Sequence, residues 1–240
     1  MNEQLKIYWE LYEKYYTNDD LLKNFRNLMD VYHPQKKGKI VDIGCGQSPY
    51  LIDFCKNSNH QLFAIDDEPI QIDALKRRIE KIKSKNEITF YTERFPNSEL
   101  ELSKLIFTGV IVSNLLHFLD LKEAKEFITE IEKNIGSGSI LLFTNHSWKH
   151  SLNGDFSYFK HFFKEEDFYE LLPKKTYDYL YIDIKSALYS SKEILLMKEW
   201  IKQVANKNNI FDNAEIDKMQ QEYLENSNKE ENMTVIVRRK

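Results

Sequence analysis

The chain has little cysteine, no long apolar run and no excess of charge of one sign. Its two cysteines, Cys45 and Cys55, are ten residues apart across a turn and a helical segment, which does not favour a disulfide. Reduced thiols are typical of the cytoplasm. No apolar stretch approaches the length of a membrane span, and residues 1–4 do not resemble the start of a signal peptide. We therefore expect a cytoplasmic protein without a membrane partner.

Positive charge is not concentrated in any part of the chain. The 34 lysines and arginines are mixed with 38 aspartates and glutamates, for a net charge of −4. A protein that binds nucleic acid usually carries a basic face. The composition therefore disfavours a DNA or RNA substrate. The length of 240 residues suits one α/β domain with additions.

Only seven glycines are present, and two of them, Gly44 and Gly46, lie in one short motif. Residues 39–48 read Lys-Ile-Val-Asp-Ile-Gly-Cys-Gly-Gln-Ser, and a helical pattern follows from Pro49. A β-forming apolar run thus ends in a glycine turn that opens a helix. Such a corner is the ligand-binding point of a doubly wound α/β sheet, because glycines admit a close ligand and free helix amides favour an anionic group.

The spacing Asp42-x-Gly44-x-Gly46 resembles motif I of the class I S-adenosylmethionine-dependent methyltransferases. The usual form of that motif is Asp/Glu-x-Gly-x-Gly-x-Gly. This chain departs from it at Ser48, which stands at the last glycine and is also small.

The segments that follow keep the order of the same family, and the resemblance covers roughly residues 38 to 146. A dinucleotide fingerprint would need a glycine where Pro49 stands, so a nicotinamide coenzyme is disfavoured. Four further apolar runs that read as strands follow the motif, at residues 61–66, 88–91, 109–113 and 139–144.

The resemblance implies S-adenosyl-L-methionine as the cofactor and gives each part of it a position. In the family, motif I binds the methionine part, an acid after the second strand binds the ribose, an acid after the third binds the adenine, and the end of the fourth strand lies beside the methyl group. The matching cofactor-binding residues are Asp42, Gly44, Cys45 and Gly46; Asp66, or its neighbour Asp67; Glu93, with Arg94 beside it; and Ser113 and Asn114.

Candidate catalytic residues are few, because the cofactor supplies most of the reactivity in methyl transfer. His117 follows the fourth strand and is either a general base or a packed loop histidine, and His146 after the fifth strand is a second candidate base. Tyr158 lies in the aromatic run 156–163, which we expect to contribute to the substrate pocket. His146 and His150 are four residues apart, a spacing that would place both rings on one face of a helix and suit a metal ion. The residues around them predict a loop instead, so we expect no metal.

The alternation of strand and helix patterns predicts an α/β fold, with a doubly wound, mostly parallel seven-stranded sheet and helices on both faces. We predict an N-terminal helical cap at residues 1–37 and a methyltransferase domain at 38–240. Within the domain, 38–146 would form the cofactor-binding half and 147–240 the substrate-side half. A helical insertion is expected at about 186–231, before the last strand, where the family usually has a short turn.

The predicted function is methyl transfer from S-adenosylmethionine to a small molecule, with an oxygen, nitrogen or carbon acceptor left open. Residues 146–163 and the N-terminal helices would close over the methyl group and select a mainly apolar substrate. In the resembled family, the enzymes that methylate an amine of a nucleic acid carry a Pro-Pro pair at the end of the fourth strand. No such pair follows Ser113 and Asn114, so this activity is disfavoured. Two alternatives stay open: a methyltransferase that acts on a protein or RNA, and a non-catalytic binding protein of the same fold. The oligomeric state is not predicted.

Overall fold

The computed structural model describes residues 4, 7–8, 10–12, 19–35, 37–82, 86–96, 102, 105–150, 153, 159–188, 191–227 and 229–240. Contacts group the chain into two compact units. The first combines Met1–Thr17 with Ser186–Glu231, and the second combines Asn18–Lys185 with Asn232–Lys240. Among the residues described, no helix is both long enough and apolar enough to cross a membrane.

Seven strands form a single sheet. They are β1 (Lys39–Ile43), β2 (Gln61–Asp66), β3 (Ile88–Thr92), β4 (Phe107–Ser113), β5 (Ile135–His146), β6 (Tyr177–Leu188) and β7 (Lys229–Arg239). Their order across the sheet is β3-β2-β1-β4-β5-β7-β6. The strands from β1 to β5 pair in parallel, whereas β7 runs antiparallel to β5. The predicted seven-stranded α/β sheet is confirmed, but it is mixed rather than mostly parallel, because the chain returns along β5 in the opposite direction.

The described helices surround this sheet or belong to the first unit. They are α1 (Asp19–Tyr32), α2 (Pro49–Asn57), α3 (Pro69–Ile82), α4 (Leu121–Glu132), α5 (Glu165–Leu171), α6 (Ser191–Lys207) and α7 (Asn213–Ser227), with a 3-10 turn at Leu116–Phe118. Helix α4 begins at a capping box. The amide of Glu123 donates to Asp120 at 2.8 Å, and the amide of Asp120 donates to the Glu123 carboxylate at 2.8 Å.

Strand β1 is buried on both faces, as a central parallel strand must be. Val41 and Ile43 pack into one apolar cluster, which also contains Phe127 of α4. Ile40 packs into another, which contains Phe54 of α2. The alternation of side chains along one strand thus fills two cores, and helices cover both of them. The predicted covering of both sheet faces is confirmed.

The first unit has a small core of its own. Ile7 and Leu11 pack with Leu196 and Met197 of α6. The indole of Trp200 donates a hydrogen bond of 2.8 Å to the backbone carbonyl of Gln4. Residues 186–231, the predicted helical insertion, contain α6 and α7. The division into a cap and two halves of a domain stays a prediction.

Candidate functional site

The turn between β1 and α2 has the conformation that its glycines permit. Gly44 and Gly46 have φ values of +68° and +49°. The amides of Gly44 and Cys45 both donate to the carbonyl of Ile65, at 2.8 and 3.0 Å. A Cβ on Gly44 would lie 2.9 Å from the Leu115 side chain, whereas a Cβ on Gly46 would meet nothing within 4 Å. A side chain on Gly44 would therefore require Leu115 to move, whereas Gly46 faces open space, and the positive φ of both residues favours glycine.

Asp42 is buried beside this turn, with 1% of its surface exposed. Its Oδ2 accepts a hydrogen bond of 2.5 Å from the hydroxyl of Ser48, which in turn accepts the amide of Leu51 at 3.0 Å and caps α2. Within the described chain, Oδ1 of Asp42 has no hydrogen-bond partner. Burial raises the pKa of the Asp42 carboxyl to about 8, although the bond from Ser48 lowers it. The site thus holds a buried acid with one oxygen available to a ligand.

Asp66, at the end of β2, is joined to the same turn. Its Oδ2 accepts the amide of Gly46 at 2.7 Å, and its Oδ1 accepts the amide of Glu68 at 2.9 Å. Burial raises the pKa of Asp66, against the lowering effect of these two amides. The neighbouring Asp67 is exposed. Of the two acids considered for the ribose, Asp66 is the one in contact with the glycine turn.

The predicted adenine side lies at the end of the next strand. Thr92 of β3 is paired with Asp66 of β2, so Glu93 follows one residue beyond that pair at the same edge of the sheet. Glu93 is half-buried and Arg94 is exposed. The structure therefore brings Asp42, Asp66 and Glu93 to the carboxyl ends of three adjacent strands, where open α/β sheets bind their ligands.

The ends of β4 and β5 are tied together by polar groups. The hydroxyls of Ser113 and Thr144 are 2.8 Å apart, and the amide of Asn114, at φ +54°, donates to the carbonyl of Thr144 at 2.7 Å. The side-chain oxygen of Asn145 accepts the amide of Leu116 at 3.1 Å. The Nδ2 of Asn145 is buried and has no hydrogen-bond partner in the described residues. Asn145 was not predicted as a site residue; its place directly after the predicted run 139–144 is the signal that marks it.

Three histidine rings lie together at the ends of these strands. The ring of His146 stacks on that of His117, 4.1 Å away with 11° between their planes, and lies 4.1 Å from that of His150, tilted by 38°. Burial, followed by the charges of His146 and His150, lowers the pKa of His117 well below its ordinary value. Burial also lowers the pKa of His146, which a hydrogen bond to Asn232 opposes. Burial therefore favours the neutral forms of His117 and His146.

A short aromatic segment covers the histidines. Phe159 presents its edge to His117 and His146, at ring distances of 5.0 and 4.9 Å. The amide of Lys160 donates to the carbonyl of His117 at 2.9 Å, and the amide of Phe163 donates to that of His146 at 3.1 Å. The described part of the aromatic run thus lies across the ends of β4 and β5. Tyr158, the third predicted catalytic residue, lies outside the described residues.

The arrangement of the three histidine rings also bears on metal binding. Over the described ranges, no group of three histidine, cysteine, aspartate or glutamate side chains could hold a metal ion.

Comparison with known proteins agrees with this geometry. A family model described as a methyltransferase domain matches residues 40–138. The S-adenosylmethionine-dependent methyltransferase of Thiobacillus denitrificans has a TM-score of 0.69 and 13% identity, over 100% of this chain and 99% of that one. The corresponding protein of Geobacter sulfurreducens has a TM-score of 0.68 and 11% identity, with coverage of 100% and 99%. Both structures hold S-adenosyl-L-homocysteine.

Coclaurine N-methyltransferase, bound to N-methylheliamine and S-adenosylhomocysteine, has a TM-score of 0.63 and 11% identity, over 94% of this chain and 76% of that one. At such identities the three likenesses show a shared fold. The comparison with curated proteins found no match. Residues 40–138 thus match a methyltransferase domain, and the whole chain shares the fold of the S-adenosylmethionine-dependent methyltransferases, in agreement with the glycine turn and the strand order.

Proposed function

We propose that the protein binds S-adenosyl-L-methionine at the turn between β1 and α2 and transfers its methyl group to a small molecule. The observation that carries this proposal is the buried Asp42, whose Oδ1 has no hydrogen-bond partner in the described chain, beside Gly46, which faces open space. A buried polar atom without a partner is costly unless a ligand satisfies it. The ammonium of an amino acid supplies the donor that Asp42 lacks.

The other predicted cofactor residues fit the same group. Each carboxylate oxygen of Asp66 accepts one amide and keeps a lone pair, so Asp66 can still accept from ribose hydroxyls. Glu93, half-buried one residue past β3, would accept from the adenine amino group. Cys45 would line the turn with its backbone, because burial raises the pKa of its thiol well above the ordinary value and keeps it protonated. Asp67 and Arg94 would lie at the rim of the site.

The bound cofactor would supply an activated methyl group. The protein would then have to orient the acceptor and exclude water from it. The ends of β4 and β5 offer the groups for this task. Asn114, His117 and His146 are polar groups at these ends, and Phe159 covers the two histidine rings. Tyr158, beside Phe159 in sequence, remains a proposed catalytic residue.

A small, mainly apolar acceptor suits this surface better than a macromolecule. Burial lowers the pKa of both His117 and His146, so these two rings do not favour a phosphate or a carboxylate. Coclaurine N-methyltransferase, whose fold this chain shares, holds a small amine. The helical cap and the insertion at about 186–231 would select the substrate, a role that stays a prediction. A macromolecular acceptor is the competing hypothesis.

Transfer of a labelled methyl group tests the proposal. The protein would be incubated with S-adenosylmethionine labelled in its methyl group and a cell extract, which is then separated into small molecules and macromolecules. We expect label in the small-molecule fraction, and none when the extract is omitted. Label only in protein or RNA would favour the macromolecular alternative. Cofactor binding without label in either fraction would favour the non-catalytic one.

A further inference from the structure

His146 ends strand β5 and stands directly opposite Asn232 of β7. The antiparallel register pairs the two residues, and Nδ1 of His146 lies 2.9 Å from Oδ1 of Asn232. The contact therefore depends on the antiparallel return of the chain along β5, and both partners belong to the second unit. No other described side chain makes a hydrogen bond to the ring of His146.

The partner atom decides where the proton of a neutral imidazole lies. An amide oxygen can only accept a hydrogen bond, so the bond to Asn232 requires a proton on Nδ1 of His146. A neutral ring carries one proton on its nitrogens, and Nε2 is then an acceptor. Burial lowers the pKa of His146, which keeps the ring in this neutral form near pH 7. The rings of His117 and His150 each lie 4.1 Å from that of His146, and His146 is half-buried rather than enclosed.

We propose that Asn232 is a positioning residue that holds the proton of His146 on Nδ1, so that Nε2 accepts the hydrogen of a neutral hydroxyl or amine on the methyl acceptor. The catalytic half of this inference rests on the proposed function, whereas the tautomer does not. The acceptor's lone pair forms the new bond to the methyl carbon, and the electron pair of the broken carbon–sulfur bond stays on sulfur. The acceptor's proton moves to Nε2, and the resulting imidazolium releases it to solvent.

Nothing in the sequence marks Asn232, which lies within β7 directly before its apolar part. The structural alternative is that the bond only fastens β7 to β5. The two roles differ in what a substitution does. Replacement of Asn232 by leucine, of similar size but without an acceptor, removes the reason for the Nδ1 proton. Replacement by aspartate keeps an acceptor at the same place.

Nitrogen NMR of the imidazoles in the full chain measures the tautomer directly, with His146 identified by its absence in His146→Gln. In the wild type we expect the proton on Nδ1. In Asn232→Leu we expect the Nε2-protonated form, and in Asn232→Asp the Nδ1 form again. A wild-type ring protonated on Nε2 would overturn the inference whatever the activity, and this measurement does not require either variant to fold.

Kinetics on an acceptor found by the labelling experiment test the catalytic half. Asn232→Leu should lower kcat by roughly 100-fold, the lower end of the effect of general-base catalysis, with KM and S-adenosylhomocysteine affinity within about twofold. Asn232→Asp should recover most of kcat. Equal losses of kcat in both variants would assign Asn232 a purely structural role. A wild type with the expected tautomer that binds no cofactor would instead overturn the proposed function.

Discussion

At the scale of single residues, the two oxygens of Asp42 have different surroundings. Oδ2 is held by Ser48, which stands where the family has its last glycine, and the same hydroxyl caps α2. Where the family has a flexible glycine, this chain therefore has a serine whose hydroxyl fixes both the Asp42 carboxyl and the first turn of α2. Oδ1 has no partner in the described chain. The sequence indicated Asp42 as a cofactor residue, but not its bond to Ser48, because motif spacing carries no side-chain orientation.

The raised pKa of Asp42 predicts a pH dependence of stability. The carboxyl has a pKa of about 8 in the folded protein and an ordinary value of 3.8. Between these values the unfolded chain releases the proton and the folded chain keeps it, so the contribution of Asp42 to the free energy of unfolding should fall as pH rises, by about 1.4 kcal/mol per pH unit. The lowered pKa values of His117 and His146 act in the opposite direction, so the difference between the wild type and Asp42→Asn, which cannot titrate, isolates this contribution. Urea unfolding of both proteins from pH 5 to 8 measures it, and a difference that does not change with pH would contradict the raised pKa.

Asp66 and Asp67 form a matched pair for the ribose. Asp66→Ala should weaken S-adenosylhomocysteine binding by about 1–3 kcal/mol, because hydrogen bonds to a charged group are lost. It should also lower the free energy of unfolding, because the amides of Gly46 and Glu68 lose their acceptor. The exposed Asp67 is the control, and Asp67→Ala should change neither quantity by more than about 0.5 kcal/mol. Calorimetry and urea unfolding give the two values, and a reversed order would move the ribose role to Asp67.

At the scale of elements, the aromatic segment after β5 is joined to both strand ends through backbone bonds. Residues 159–163 cross from the carbonyl of His117 to that of His146, and Phe159 lies edge-on to both rings. The sequence predicted these aromatic residues on the substrate side. Their contacts with the histidines were not predictable, because they depend on how far the loop folds back over β4.

Removing Phe159 should therefore act on the acceptor and not on the cofactor. Phe159→Ala removes the ring that packs at right angles against His117 and His146. We expect turnover to fall by about tenfold or more, because the acceptor would be held less accurately for attack on the methyl group. Affinity for S-adenosylhomocysteine should stay within about twofold. Phe211, which is 68% exposed in the first unit, is the control, and Phe211→Ala should leave turnover unchanged. The outcome against this account is loss of cofactor affinity in Phe159→Ala with normal turnover.

Element boundaries show where sequence patterns were sufficient. Helix α4 begins at a capping box whose two partners are three residues apart, so the local sequence is sufficient to predict this boundary. Strand β5 begins at Ile135, four residues before the predicted run at 139. Gly136 and Gly138 interrupt the apolar alternation there, and the pairing with β4 shifts register between Phe107 and Gly109, so these first residues give no periodic signal.

At the scale of the whole molecule, the parallel part of the sheet was predictable from the alternation of strand and helix patterns along the chain. The antiparallel part depends on pairing between segments that are distant in sequence. The alternation of apolar runs predicted helices on both faces, and the two clusters around β1 confirm it. The partner of His146 was not predictable, since β5 and β7 meet only in the antiparallel register that brings residue 146 opposite 232. Local patterns therefore carry more information about the parallel strands around the glycine turn than about the pairing of β5 with β7.

Calorimetric titration of the full chain with S-adenosylhomocysteine, with NAD as the control ligand, tests the central claim most directly. The account predicts one site of micromolar affinity for S-adenosylhomocysteine, formed by Asp42, the glycine turn and Asp66, and no binding of NAD. At about 100 times its dissociation constant, the ligand should add about 2.7 kcal/mol to the free energy of unfolding. A folded protein that gives no heat and no stabilisation with S-adenosylhomocysteine, or that binds NAD instead, would contradict the account.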